Sequence, residues 1–470
     1  MCVIKLGAHV FSKADIESFA EASGDFNPIH VDPIGARRLI TGGQTVHGMH
    51  TVLFVLNLYY QVRSHVPNQI RVFLQKPILE GEFVEFFCDS QSNETHVTAR
   101  TAYGQVVSIL LIGAGKAVTT PINSKRPAKK RARNCSFAEI KGKCGTLSIM
   151  AAREDIDREF PFANKMLGTH IVASIMAFSR LVGMSTPGLH SIFTGLEIKF
   201  GEQCGCRLGW RVSRHISPKV PIKITLEAQD FYAELSSFYR PAQVSQPSIR
   251  DVKRVIEPKV FSDQRALVLG GSRGLGELVA KCLAVGGARV HITYARGKSD
   301  AEKVQKSINR IGGSCAISKL NVENIDSAYR LLKLIKPTHI YFFPSPSIRH
   351  NTHRYNTALF SEYYSIYVTA FCELVRAAAK SIQHPFYIFY PSTVFIETEP
   401  KGFAEYINAK LAGERHADLL AAEYINVNII KERLPPLRTD QTISLTAGEA
   451  EPALEMLSGV LLAMRTSYDE

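Results

Sequence analysis

The stretch Ser23-Gly24-Asp25-Phe26-Asn27-Pro28-Ile29-His30-Val31-Asp32 decides how the first half of the chain reads. A residue before proline is pushed out of the helical region, so Asn27-Pro28 breaks whatever helix precedes it. That helix is legible upstream, with Ser12 as its cap and Ile16, Phe19 and Ala20 on one face. The loop that follows can aim the Asp25 carboxylate and the His30 imidazole at one small volume. Histidine is the side chain best placed to move a proton near neutral pH, and a carboxylate can fix its orientation. Next comes Gln44-Thr45-Val46-His47-Gly48-Met49-His50, opening an apolar helix whose first N–H groups can bind a developing oxyanion. A capping Asp and a buried His are the purely structural alternative.

From Met49 to Arg63 the helix is apolar on nearly every side, the mark of a buried element. Strand-like runs follow at 69–76, 82–88, 96–103 and 106–112, which bounds a first domain at 1–123. Lys125, Arg126, Lys129, Lys130, Arg131 and Arg133 then crowd into a stretch that reads as a solvated linker. Beyond it the plan repeats over 134–240: an apolar helix at 169–183, then strand-like runs at 190–200, 207–216, 222–228 and 232–238. This copy lacks the chemistry. Glu154-Asp155-Ile156-Asp157-Arg158-Glu159 stands in place of the first loop, and the second helix opens with Leu167-Gly168-Thr169-His170.

The Asp25-x-Asn27-Pro28-x-His30 loop and the later His47-Gly48 resemble the MaoC-like, (R)-specific enoyl-thioester hydratase family. The resemblance implies a hot-dog fold, a curved antiparallel sheet wrapped round one long helix, and for the two repeats an α+β double hot-dog. It implies addition of water to trans-2-enoyl thioesters, or its removal from 3-hydroxyacyl thioesters. By position, Asp25 and His30 become the catalytic pair and Gly48 the oxyanion N–H. In fused eukaryotic members the active repeat is typically the second; here the first carries the residues.

Residues 241–262 read as a second linker, and after them the pattern changes. A strand at 265–269 runs into Gly270-Gly271-Ser272-Arg273-Gly274-Leu275-Gly276 and a helix, and strand and helix alternate to the end. Such alternation implies an α/β doubly wound parallel sheet over 263–470. A glycine turn between strand and helix lets backbone reach a pyrophosphate. Tyr406 and Lys410 lie one helical turn apart, after a strand ending in Ser392-Thr393. An ammonium beside a phenol favours phenolate.

This half resembles the short-chain dehydrogenase/reductase family, nearest in pattern to 3-oxoacyl thioester reductases. The resemblance assigns Tyr406 and Lys410 to catalysis with a hydroxyl from Ser392 or Thr393. The cofactor site falls to Gly270, Ser272, Arg273, Gly274, Leu275, Gly276, Arg296, Asn321, Tyr406 and Lys410. The chain departs from the family at Leu269, at Phe343-Pro344-Ser345-Pro346, at Asn321, and at Tyr367, where an Asn normally backs the catalytic Lys. No acid ends the second strand, His291-Ile292-Thr293-Tyr294-Ala295-Arg296, to hold a ribose hydroxyl. Arg273 and Arg296 are placed for a 2′-phosphate, so NADP(H) is the expected cofactor.

The 470 residues, 45% hydrophobic and 21% charged, suit about three ordinary globular domains. A net charge of +13 suits anionic partners, here an acyl-CoA or acyl-carrier-protein thioester. The basic stretch has no interleaved aromatics, so nucleic acid is not expected. Nine cysteines without a CxxC argue against a disulfide framework or a metal site. The opening residues lack a signal-peptide plan and no apolar run reaches spanning length, so a cytoplasmic homo-oligomer away from membranes is expected.

Overall fold

The computed structural model describes residues 3–466 except 92–93, 118–119, 202–207, 229, 352–353 and 443–450. It divides into two units, 1–243 with 444–447, and 244–443 with 448–470.

In the first unit the apolar stretch after His47 forms a central helix, Gly48–Val62, with Met49, Val52, Leu53, Val55 and Leu56 fully buried. Around it run β1 (Ile4–Val10), β2 (Gln69–Leu74), β3 (Phe83–Gln91), β4 (Glu94–Thr101) and β5 (Gly104–Ile112). In β4 alternate residues Thr95, Val97 and Ala99 turn inward, the period of a half-buried strand. The second set is β6 (Cys144–Thr146), β7 (Ser191–Phe200), β8 (Gly209–Arg214), β9 (Ile222–Glu227) and β10 (Phe231–Tyr239). All ten strands make one sheet, in the order β1-β3-β4-β5-β2-β7-β10-β9-β8-β6. The join is antiparallel pairing of β2 with β7, Val72 opposite Leu196. A second central helix, Thr169–Arg180, packs against the first and continues as a π-turn over Leu181–Ser185.

Two stretches read as linkers are bound down. In the basic stretch Arg126 forks onto the buried Asp155 with two 2.6 Å hydrogen bonds. Residues 249–262 belong to the second unit: a capping box of Ser248 and Asp251 starts a short helix, and Val252, Ile256 and Phe261 are buried in the core. Their wide apolar spacing is diluted by the surrounding Pro, Ser and charged residues, which is why the stretch looks like a linker.

The second unit is the expected parallel sheet. Its strands are β11 (Arg265–Leu269), β12 (Arg289–Tyr294), β13 (Ser314–Lys319), β14 (His339–Phe342), β15 (Phe386–Thr393) and β16 (Val427–Leu434). They lie in the order β13-β12-β11-β14-β15-β16. Ala266 and Val268 face one core while Leu267 and Leu269 face another, so both sides of the sheet are covered. The order reverses between β11 and β14, which opens a crevice at their carboxyl ends.

Candidate active sites

The first site begins where the helix Lys13–Ser23 stops at Gly24, in a left-handed conformation of φ +76°. Asn27 then caps the turn Pro28–Val31 by accepting the Ile29 N–H. Asp25 is 2% exposed. Its Oδ1 accepts the Asn27 N–H at 3.2 Å, and its Oδ2 accepts the Ser179 hydroxyl at 2.7 Å. His30 Nδ1 lies 2.9 Å from the Thr45 carbonyl. A carbonyl only accepts, so Nδ1 carries the proton and the Nε2 lone pair is left for chemistry. His47 Nε2 donates to the Asp25 carbonyl at 2.9 Å, and its ring stacks on His30 with centroids 3.8 Å apart. Gly48 starts the central helix beside that stack, where the first N–H groups lack intrahelical acceptors. A Cβ on Gly48 would come within 2.5 Å of Leu74, so glycine is also required for packing.

Burial pushes the Asp25 carboxyl above its ordinary range, against the opposing pull of His30, Ser179 and Asn27. Burial also holds His30 low, against the Asp25 charge, and His47 far lower. Both shifts work against the charged forms, in a carboxyl and an imidazole able to give one proton and take another. Asp25, His30 and His47 offer ligand atoms within 4.8 Å of one another. Both Asp25 oxygens already accept hydrogen bonds, and His47 Nε2 is spent on the Asp25 carbonyl. That suits proton transfer better than a shared cation.

The second repeat builds one wall of this site. Besides Ser179, it supplies the Gly183 and Gly188 carbonyls that accept the Asn27 amide at 2.8 and 3.1 Å. Arg180 donates to the Ser23 carbonyl at 2.9 Å. A Cβ on Gly183 would stand 2.4 Å from Asp25 Oδ1. The sequence reading missed Ser179, Arg180 and Gly183, and quoted His47 without giving it a role. Ser174, Ser179 and Arg180 interrupt the apolar run at 169–183, but the interruption names no partner. Where a second catalytic loop was sought there is a helix, Arg153–Glu159, whose Asp155 is engaged by Arg126 and Arg158.

In the second unit β11 ends at Leu269, Gly270 follows with φ +72°, and the chain turns through Ser272 and Arg273 into the helix Gly274–Val285. A Cβ on Gly276 would stand 2.4 Å from the Gly270 carbonyl, so strand and helix approach as only glycine permits. Nothing lies within 4 Å of a Cβ on Gly274, which faces open space at the helix start. This cradle fits a dinucleotide pyrophosphate, held by the backbone N–H groups of 272–276. Leu275 packs its side chain into the core and can offer only backbone. Arg296 and Asn321 are exposed just past β12 and β13. Arg273 lies 3.7 Å from the Asp440 carboxylate, so its charge is already offset and its part in a phosphate fork is reduced.

Tyr406 and Lys410 are buried one turn apart on the helix Ala404–Glu423. The choice between hydroxyls follows from the pleat, since neighbouring strand residues face opposite sides. The Thr393 hydroxyl lies on the Tyr406 side, where it pulls the phenol's pKa down. Ser392 turns away and donates to Glu414 at 2.5 Å, a carboxylate also gripped by Arg433 at 2.9 and 2.7 Å. The Ser392 hydroxyl is thus engaged by Glu414 rather than offered to Tyr406. Lys410 Nζ donates to the Pro391 carbonyl at 2.7 Å and lies 4.0 and 4.9 Å from the Tyr367 and Tyr390 ring centres. Tyr367 hydrogen-bonds Ser345 at 2.6 Å, filling the position expected of an Asn. Burial lifts the Tyr406 phenol to about 12, with Thr393 opposing, and brings Lys410 down to about 7, with Glu414 opposing. The expected lowering of the phenol by Lys410 is not met, because burial dominates both groups.

Comparison with known proteins agrees with this division. The MaoC like domain family matches residues 5–77, and the short chain dehydrogenase family matches 264–447. The chain is 39% identical over 70 residues to a 3-oxoacyl-[acyl-carrier-protein] reductase of Synechocystis, covering 15% of this chain and 28% of that one. It is 39% identical over 64 residues to a mitochondrial 3-hydroxyacyl-[acyl-carrier-protein] dehydratase of Arabidopsis thaliana, covering 13% and 36%. These matches span about a third of each relative's length. A short-chain dehydrogenase/reductase homolog of Bacillus subtilis, YusS, is 32% identical over 74 residues, covering 16% of this chain and 68% of that one. The chain therefore belongs to the short-chain dehydrogenase/reductase family through its C-terminal half and carries a MaoC-like domain at its N-terminal end.

Proposed function

We propose that the chain is a bifunctional acyl-thioester enzyme. Its first half dehydrates (R)-3-hydroxyacyl thioesters of CoA or carrier protein, or runs the reverse hydration. Its second half reduces 3-oxoacyl thioesters with NADPH. The observation that carries the reading is the pairing of buried Asp25 with half-buried His30, whose Nε2 makes no hydrogen bond among the described residues and which stacks on His47 at the start of the Gly48 helix. In dehydration His30 Nε2 takes the proton from C2 while the Asp25 carboxyl gives its proton to the leaving 3-hydroxyl. The Gly48 N–H holds the thioester oxygen as charge develops on it. Hydration reverses each transfer. The ten-stranded sheet over two packed helices supports a double hot-dog, with repeats at 1–123 and 134–240 and the reductase domain at 263–470 preceded by the packed segment 244–262.

In the reductase half bound NADPH would supply hydride to the carbonyl carbon. Thr393 holds the carbonyl oxygen, Tyr406 gives it a proton, and Lys410 stands behind Tyr406. The halves form a sequence, since the 3-hydroxyacyl product of one is the substrate of the other. A second reading, binding of cofactor without turnover, draws on one observation: Lys410 is enclosed by the Tyr367 and Tyr390 rings. Both steps are assayed on short and medium 3-oxoacyl and trans-2-enoyl thioesters with NADPH and NADH. Asp25→Asn or His30→Ala lowers hydration about a hundredfold or more. Near-normal hydration in either variant overturns the site, and NADPH binding without oxidation by any 3-oxoacyl thioester favours the second reading.

A further inference from the structure

The basic stretch from Lys125 to Arg133 has no part in the chemistry above, yet its backbone is fastened to the outside of the catalytic loop. Pro127 packs on Gly24 so closely that a Cβ there would come to 2.7 Å from Pro127 Cβ. The Lys129 ammonium lies 4.6 Å from the Phe26 ring centre. Gly24 and Phe26 are the two chain neighbours of Asp25. Farther along, Arg133 donates its N–H to the Met184 carbonyl at 3.0 Å and accepts the Leu189 N–H at 2.8 Å. That end is thereby tied beside Gly183 and Gly188, whose carbonyls hold Asn27.

Arg126 is neutralised by Asp155. Among the described residues, Lys125, Lys130, Arg131 and Arg133 have no carboxylate partner, and all are exposed. The cations are spread along about 25 Å of chain contour. A phosphate or pyrophosphate calls for convergent donors. A row of separated cations instead complements carboxylates dispersed over a protein surface.

We infer that this strap is the docking surface for an acidic carrier protein that delivers its acyl thioester to the Asp25–His30 site. The inference rests on the thioester reading of that site and adds the partner and its landing place. The cations steer the carrier toward the loop, so they act on encounter and on KM, not on the proton transfers.

The test is the full chain with Lys125→Glu, Lys130→Glu and Arg131→Glu combined, none of which touches the reacting groups. Dehydration is followed on one 3-hydroxyacyl group carried by acyl-carrier protein, by CoA, and by N-acetylcysteamine. The variant should match the parent on the N-acetylcysteamine thioester, which reports intact fold and chemistry. On the carrier protein its KM should rise about tenfold or more with kcat unchanged, and the salt dependence of KM should flatten. An unchanged carrier KM overturns the inference. A KM for the CoA thioester that rises equally assigns the strap to CoA phosphates and overturns it too. Should the variant lose the N-acetylcysteamine reaction, the neutral Gln triple at the same positions repeats the comparison. If the parent itself turns over none of the three substrates, the thioester reading fails and this inference with it.

Discussion

Replacing Ser179 by Ala tests whether the repeat without catalytic residues takes part in the reaction. The Ser179 hydroxyl donates to Asp25 Oδ2 at 2.7 Å, and both residues are buried, at 4% and 2% exposure. A hydrogen bond to a charged group contributes about 1.5–3 kcal/mol. In the proposed dehydration Asp25 gains negative charge as it releases its proton to the leaving hydroxyl, so the bond would strengthen toward the transition state. If between half and all of that charge has developed, the loss is about 1–3 kcal/mol, or roughly a five- to hundredfold fall in kcat/KM. The overall equilibrium is fixed by the substrates, so hydration and dehydration should fall by the same factor. Ser179→Cys, similar in size but a weaker donor, should lie between. The assay is initial-rate kinetics in both directions on one acyl group, with a thermal melt to verify folding. A variant that melts normally and keeps kcat/KM within twofold refutes the claim that Ser179 tunes Asp25.

Gly183→Ala would put a Cβ 2.4 Å from Asp25 Oδ1, so hydration should drop at least tenfold. 3-Oxoacyl reduction by the same protein should be unaffected, and equal losses in both assays would point to misfolding instead. Tyr406→Phe should cut reduction a hundredfold or more while NADPH still quenches or enhances fluorescence on binding. Thr393→Ala should lower reduction about tenfold, and Ser392→Ala should weigh on stability through Glu414 instead; the reverse ranking would reinstate Ser392. Lys410 supplies a pH signature. Its pKa is about 7 in the fold against an ordinary 10.5, so the unfolded chain binds the extra proton between those values. Stability should therefore rise with pH across that window, by up to about 1.4 kcal/mol per pH unit, and Lys410→Met should lack the rise in denaturant titrations.

Much of this was legible because the signals are local. The first central helix, read as 49–63, spans Gly48–Val62, and the strand read at 265–269 is β11 to the residue. β1 escaped because Gly7 and a register irregularity between Lys5 and Gly7 spoil its alternation. The tie between Ser392 and Thr393 arose because spacing to Tyr406 favours Thr393 while residue type favours Ser392, and which face of β15 meets Tyr406 is decided by packing of the whole sheet. Ser179 was out of reach for a different reason. Its partner lies 154 residues away, and nothing near Ser179 says that a carboxylate will be brought to it. The basic stretch was correctly seen as exposed charge, but its backbone attachment depends on carbonyls at 184 and loops at 24–26 that the linear pattern does not connect.

The pairing of β2 with β7 has a consequence for dilution. A site whose wall came from a separate chain would fall apart below the dissociation constant of the two chains, and its specific activity would decline as the protein was thinned. Here the wall that carries Ser179 and Gly183 is tethered to the Asp25 loop through the same polypeptide. The second half of the site is present at a local concentration set by the tether, not by how much protein the solution holds. Hydratase activity per molecule should stay constant down to the lowest concentration at which it can be measured.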